Sequence, residues 1–204
     1  DLIKIIKIIN RNNLKFYFVG SGSNLLVNDK KINAIIITPA KALKSLTIKK
    51  NTIKAESGVM LGKLVKETIK HNLTGLESLV GVPGTLGGAL MMNAGAWGSE
   101  ISNYLISVDV INNNGKIKKL YPKDMKFNYR QSSFKSNEFI LSAKFKLSKA
   151  TKVEIKKKKA IASKGRINSQ PLKYRSAGSV FKNPHNKLAA GFLIDEAGLK
   201  GTQI

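Results

Sequence analysis

Four short segments of this 204-residue chain combine residue types that can hold an anion or move a proton. YRQSSFK at 129–135 and SAGSVFKNP at 176–184 each bring a hydroxyl, a cation and an aromatic ring within a few residues. Such groups can stabilise a developing oxyanion or deliver a proton to a carbanion. For either motif alone, a capped loop carrying a solvated lysine is the simpler reading.

The other two segments are rich in glycine. GSGSN at 20–24 follows an apolar run, and its small residues let the backbone turn tightly and point N–H groups at an anion. No Gly-Lys-Ser/Thr follows, so it is not the phosphate loop of nucleoside triphosphatases. It also lacks the third glycine of a dinucleotide fingerprint. Taken alone, GSGSN reads as an ordinary turn more readily than as a phosphate cradle. Residues 75–98 hold seven of the 17 glycines, in GVPGTLGG at 81–88 and NAGAWG at 93–98. Ordering such a stretch costs about 0.5–1 kcal/mol per glycine relative to alanine. Close approach of backbone to a flat or phosphorylated ligand offsets that cost better than a purely structural Ω-loop does.

The elements that must position these loops follow from periodicity. Apolar residues at 2, 5, 6 and 9 predict one face of a helix, and the aromatic run at 15–19 predicts a strand leading into GSGSN. Residues 34–38 form another strand candidate. Residues 46–48 and 53–55 flank a turn as a hairpin, and 61, 64, 65, 68 and 69 follow a helical stripe. Residues 75–98 break every period. A second hairpin is expected across 108–120. A half-buried strand at 139–147 is expected to place Phe139, Leu141, Ala143, Phe145 and Leu147 on one face. Residues 152–166 read as a polar helix or linker. The alternation predicts an α+β fold, with lobes at 1–46 and 47–150 and the start of a third at 165–204.

Composition narrows the classes. The chain is 42% hydrophobic, enough for a packed core, and has no cysteine, hence no disulfide, thiolate nucleophile or thiolate-ligated metal. Two histidines, His71 and His185, leave no basis for a multi-histidine metal site, and no metal is expected. His71 sits where a helix should end, a position that favours a cation against the helix dipole. His185 reads as a solvated loop residue. No apolar run is long enough to span a membrane, and the start does not resemble a secretory signal, so a cytoplasmic protein is expected. The net charge of +24 raises the question of polyanion binding. Only four of the 36 cations are arginine and the lysines are spread along the chain, so a compositional bias explains the charge better than a nucleic-acid face.

Taken together and in order, GSGSNLLV, GLESLVGVPGTLGGALMMNAGAWG, YRQSSFK and SAGSVFKNP resemble the UDP-N-acetylenolpyruvoylglucosamine reductases, flavin enzymes of peptidoglycan precursor synthesis. The resemblance runs from about Phe18 to the end of the chain and is closest to the family's shorter, second subtype. It implies the vanillyl-alcohol-oxidase type of FAD-binding fold, with FAD between two α+β subdomains and a UDP-sugar enolpyruvyl ether as substrate. By the same resemblance, Gly20, Ser21, Gly22, Ser23 and Asn24 would cradle the FAD diphosphate. Pro83, Gly84, Thr85, Gly87 and Gly88, with Asn93, Ala94 and Gly95, would line the flavin. NADPH would supply a hydride by way of FAD to the enolpyruvyl double bond, and a proton would go to the adjacent carbon. Ser179 matches the family's proton donor and Arg130 the arginine that stabilises the enolate. Tyr129, Lys182 and Asn183 are expected on the substrate, and Trp97 either beside the flavin or in the core.

The family's catalytic glutamate lies near its C-terminus, beyond Ile204 in family terms. Glu196 follows the FKNP loop in a helix and is not that residue. The chain starts at Asp1 and stops just after a helix terminator, so it reads as a piece lacking both ends, expected to bind flavin weakly and turn over poorly. Two rival readings stand beside this one: another FAD-dependent oxidoreductase of the same fold, and a basic polyanion-binding module. Oligomeric state is not legible.

Overall fold

The structure, a computed structural model, describes residues 1–135, 137–170, 178–184 and 188–202. It divides into two units, Asp1–Ser163 and Lys164–Ile204.

In the first unit, the stripe on α1 (Leu2–Arg11) buries Ile6 and Ile9. The short strands β1 (Phe16–Phe18) and β2 (Ile35–Ile37) pair in parallel, Phe16 opposite Ile35. β3 (Leu46–Lys49) and β4 (Thr52–Glu56) form the expected hairpin, and α2 (Leu61–Lys70) buries Leu61, Leu64, Val65 and Thr68. His71 caps that helix, its Nδ1 lying 2.8 Å from the Glu67 carbonyl. After β5 (Leu73–Thr74) the glycine-rich stretch is not wholly irregular. Leu86–Met91 closes into a helix, α3, with Thr85 at its N-cap. The period was hidden because Gly87 and Gly88 stand where side chains would have marked it.

The hairpin β6 (Gly95–Ala96) and β7 (Ser99–Glu100) turns on Trp97 and Gly98, both at positive φ (+54° and +76°), the geometry of a two-residue type I′ turn. Trp97 is 49% exposed on that turn, so it is not a core residue. β8 (Leu105–Asn112) and β9 (Ile117–Leu120) form the second hairpin, β10 (Phe127–Asn128) and β11 (Gln131–Ser132) a third. β12 (Glu138–Lys146) then completes an antiparallel five-stranded sheet of order β3-β4-β12-β8-β9, while β13 (Ser148–Lys149) pairs with β5.

β12 corrects the simple alternation. Ile140 pairs with Val110 but Ser142 with Asp109, so Leu141 is an extra residue and the strand changes face there. Beyond it, Ala143, Phe145 and Leu147 enter the main core with α2 and α3. Before it, Phe139 joins Ile6 and Ile111 in a second cluster, with Leu141, Phe16 and Phe18 against it. The Phe139 ring centroid lies 5.4 Å from that of Phe16 and 4.7 Å from that of Phe18. One strand therefore carries two cores, and Phe139, ahead of the bulge, packs the phenylalanines of β1 against it.

α4 (Lys152–Ser169) starts in the first unit and ends in the second. Among the described residues of the second unit, α5 (Ala190–Glu196) is the further helix. Residues 176 and 177 of the SAGS motif, and His185, lie outside the described residues. No helix among the described residues is long and apolar enough to cross a membrane, and no group of His, Cys, Asp or Glu there could hold a metal ion.

Candidate active site

In the first unit α3 organises three of the four motifs. Its N-terminal approach, residues 83–85, lies against GSGSN. A Cβ built on Gly20 would stand 2.5 Å from Thr85 Oγ1, and one on Gly84 would stand 3.0 Å from Ser23 Oγ. Gly84 has φ +116°, a region side chains rarely adopt, so both the close approach and the turn select glycine here. The two glycine loops are thus neighbours, and Thr38 Oγ1 fixes the first by donating to the Gly20 carbonyl at 2.9 Å. Ser21, Gly22, Ser23 and Asn24 are all exposed, and their backbone amides donate to no described residue. Space around Gly22 is open: a Cβ there would meet nothing within 4 Å.

The other end of α3 carries the link to YRQSSFK. Ser132 Oγ donates to the Met91 carbonyl at 2.7 Å, in the last turn of the helix. Asn93, fully buried, donates through Nδ2 to Asn128 O at 3.2 Å and to Glu100 Oε2 at 2.6 Å. Both neighbours are acceptors, so the amide nitrogen faces them. Arg130 donates through Nη1 to the Gly95 carbonyl at 3.0 Å. Three hydrogen bonds therefore staple the β10–β11 hairpin to residues 91–95. α3 has six residues and is about 9 Å long at 1.5 Å rise per residue, so cradle and arginine hairpin lie about one short helix apart.

Arg130 occupies the left-handed region at φ +54° in the two-residue loop between β10 and β11. A non-glycine residue held there stores about 1–3 kcal/mol of strain, which persists only where surrounding contacts over-determine it. Here those contacts are the Gly95 carbonyl and the Tyr129 ring, whose centroid lies 5.1 Å from the guanidinium carbon. The guanidinium has five N–H donors. Gly95 O takes a single one, and the side chain is half-buried, so the fork can still serve an anionic ligand.

Of the expected cofactor-lining residues, Pro83 and Gly88 are exposed, Gly87 and Gly95 half-buried, and Gly84, Thr85, Ala94 and Asn93 buried. Thr85 Oγ1 and Asn93 Nδ2 bond within the protein, while the buried Asn93 Oδ1 has no partner among the described residues. Thr85 Oγ1 accepts from the Gly88 amide, and the Asn93 amide holds the hairpin. Glu100 is the residue that sequence reasoning missed. The I′ turn at Trp97-Gly98 was the signal available, because it sets Glu100 opposite Gly95.

Ser179, Lys182 and Asn183 stand in the second unit, Ser179 and Lys182 exposed. The Asn183 side chain accepts through Oδ1 from the Ala190 amide at 3.1 Å, at the start of α5.

Comparison with known proteins joins these features. The FAD binding domain family matches residues 1–121, and the UDP-N-acetylenolpyruvoylglucosamine reductase C-terminal domain family matches residues 170–204. The chain is 40% identical over 205 residues to the UDP-N-acetylenolpyruvoylglucosamine reductase of Caldanaerobacter subterraneus subsp. tengcongensis, covering 100% of this chain and 67% of that protein.

This chain belongs to the UDP-N-acetylenolpyruvoylglucosamine reductase family.

The family's reductase from Clostridium kluyveri is 41% identical with the same coverage, so the chain spans 67% of the length of each of these two relatives. Among solved structures, the family's enzyme from Thermus caldophilus aligns with a TM-score of 0.82 at 32% identity, over 97% of this chain and 72% of that one. A Phl p 4 variant, a glucose oxidase, aligns over 74% of this chain with a TM-score of 0.57 at 16% identity, which shows a shared fold alone. The α+β FAD-binding fold expected from the sequence is the fold found.

The residues present fit the cofactor of this fold. The loop at 20–24, beside the 83–85 glycine turn, has four exposed residues whose amides have no partner among the described residues, and open space around Gly22, where a diphosphate can take backbone hydrogen bonds. The chain's +24 charge favours the same anion at longer range.

Proposed function

We propose that the protein is the FAD-dependent reductase that uses NADPH to convert UDP-N-acetylglucosamine enolpyruvate into UDP-N-acetylmuramate, in the cytoplasm. The observation that carries this reading is the Arg130–Gly95 hydrogen bond, which ties the motif suited to an oxyanion to the loop suited to a flavin.

FAD, when bound, supplies hydride transfer between NADPH and the enolpyruvyl carbon. The protein supplies the rest. The loop at 20–24 cradles the diphosphate, while Pro83, Gly84, Thr85, Gly87 and Gly88, with Asn93, Ala94 and Gly95, line the flavin. As hydride arrives at one alkene carbon, charge develops on the substrate carboxylate. The permanently charged Arg130 fork stabilises that enolate. Ser179 Oγ gives its proton to the neighbouring carbon, closing the reduction. A serine hydroxyl is a weak acid, so this step requires cations and hydrogen-bond donors that favour its alkoxide. We assign Lys182, Tyr129 and Asn183 to substrate contact, and residues 165–204 to the beginning of the substrate-binding domain. Residues 1–46 and 47–150 would form the two halves of the cofactor domain.

The test uses the full-length protein. It should purify yellow, bleach with NADPH and regain colour on adding UDP-N-acetylglucosamine enolpyruvate. Bleaching without recovery would overturn the substrate. A colourless protein that refuses FAD and binds mixed-sequence DNA with a steep salt dependence would favour the polyanion reading instead.

A further inference from the structure

Glu100 sits opposite Gly95 in the β6–β7 hairpin, on an edge that the proposed mechanism leaves unused. The two residues are in close contact: a Cβ on Gly95 would stand 2.8 Å from Glu100 Cγ and 2.9 Å from the Ser99 carbonyl. The Glu100 carboxylate accepts from the buried Asn93 amide at 2.6 Å, a charge-assisted bond of the stronger kind. The same nitrogen reaches Asn128 O, two residues before Arg130. Gly95 O, immediately across the ladder from Glu100, holds the Arg130 guanidinium. Glu100 therefore touches both supports of the arginine: the amide that anchors its hairpin and the residue whose carbonyl receives its N–H.

We propose that Glu100 is a positioning residue for Arg130, its carboxylate locking Asn93 and Gly95 so that the strained arginine loop presents its fork in one orientation. This rests on the reading that Arg130 acts on the substrate. A fixed donor array needs no reorganisation as charge develops, so loosening it should slow the step that develops charge and spare the earlier one. The carboxylate serves here as a hydrogen-bond acceptor. Glutamine, which keeps an acceptor oxygen at the same place, should therefore replace it; alanine should not.

The experiment uses full-length protein loaded with FAD and follows bleaching by NADPH separately from recolouring by the enolpyruvyl substrate. Glu100→Ala should bleach within about twofold of the wild-type rate and recolour about tenfold more slowly at saturating substrate. Glu100→Gln should recolour within about threefold of wild type. In an Arg130→Lys background, adding Glu100→Ala should cost less than about twofold more, because coupled residues do not add. Should Glu100→Ala not fold, Glu100→Asp withdraws the carboxylate from Asn93 by one methylene and should show the same selective slowing. Equal loss in both half-reactions, full additivity with Arg130→Lys, or a glutamine variant as slow as alanine would each overturn the inference. Wild-type recolouring by Arg130→Lys alone would overturn the role given to Arg130. A slow Arg130→Lys beside a fast Glu100→Ala would overturn the role of Glu100 alone.

Discussion

Arg130 Nη1 donates to the Gly95 carbonyl at 3.0 Å, joining residues 35 apart in sequence. The bond fixes an always-charged group beside the glycine-rich loop while most of its donors have no partner among the described residues. Lysine in its place keeps the charge as a single flexible ammonium and loses the fork. Arg130→Lys in the full-length enzyme should leave NADPH-driven bleaching near wild type and slow substrate-driven recolouring by about tenfold or more. Stopped-flow absorbance of the flavin separates the two, and an unchanged second phase removes Arg130 from the mechanism.

The cradle makes a different demand. Gly20→Ala places a methyl 2.5 Å from Thr85 Oγ1, so either loop 20–24 or the N-cap of α3 must move. Overpacking of this kind costs about 1–3 kcal/mol. FAD affinity should fall with it, by about tenfold or more, since 1.4 kcal/mol is a tenfold change in a binding constant. Thermal melting of the apoprotein and flavin titration measure the two effects. Tight FAD binding by Gly20→Ala would show that the diphosphate does not rest on this loop.

Ser179 is the residue whose role depends on a proton rather than on shape. Ser179→Ala in the full-length enzyme should bleach normally with NADPH and lose most substrate-driven recolouring, by about a hundredfold, the lower range for a missing general acid. Ser179 is exposed and its removal empties no core, so melting should not shift. Equal impairment of both half-reactions would contradict proton donation.

Much of this was legible in the sequence, and the failures share a physical cause. The stripes of α1 and α2 and the hairpins at 46–56 and 105–120 declare themselves because one face of each is buried. Periodicity fails where a residue acts through geometry that its own side chain does not advertise. Leu141 looks like one more apolar residue in an alternating strand, yet it is the bulge that turns β12 from one core to the other. α3 was invisible because glycine carries no hydrophobic signal, though Thr85 stands as a cap in front of it. The glycine loops and Arg130 could be picked out as candidates by composition and motif. Their assembly could not, because the Ser132–Met91, Asn93–Asn128 and Arg130–Gly95 bonds each cross 35 or more residues. Asn93 is expected from its motif at the flavin; its Nδ2 meets Asn128 and Glu100, while its buried Oδ1 has no partner among the described residues.

The entry to α4 gives a prediction in pH. Thr151 and Glu154 form a reciprocal cap: the Thr151 amide and hydroxyl both donate to Glu154 Oε2 at 2.8 Å, and the Glu154 amide donates to Thr151 Oγ1 at 3.2 Å. The amide bond first, then the hydroxyl bond, hold the Glu154 carboxyl below its ordinary value, with a smaller contribution from Lys158 and a small opposing one from burial. A carboxyl lowered on folding stabilises the folded state wherever it is ionised. That contribution is complete above the ordinary glutamate range and disappears as pH falls through the lowered folded value. Glu154→Gln mimics the protonated side chain at every pH. At neutral pH wild type should therefore melt above Glu154→Gln, and the gap should close on acidification, once Glu154 itself is protonated. The remaining carboxylates are common to both proteins and drop out of the difference. Melting curves of the pair across the acid range check the sign, and a gap that widens on acidification, or one that never exists at neutral pH, would show that the cap draws nothing from the charge of Glu154.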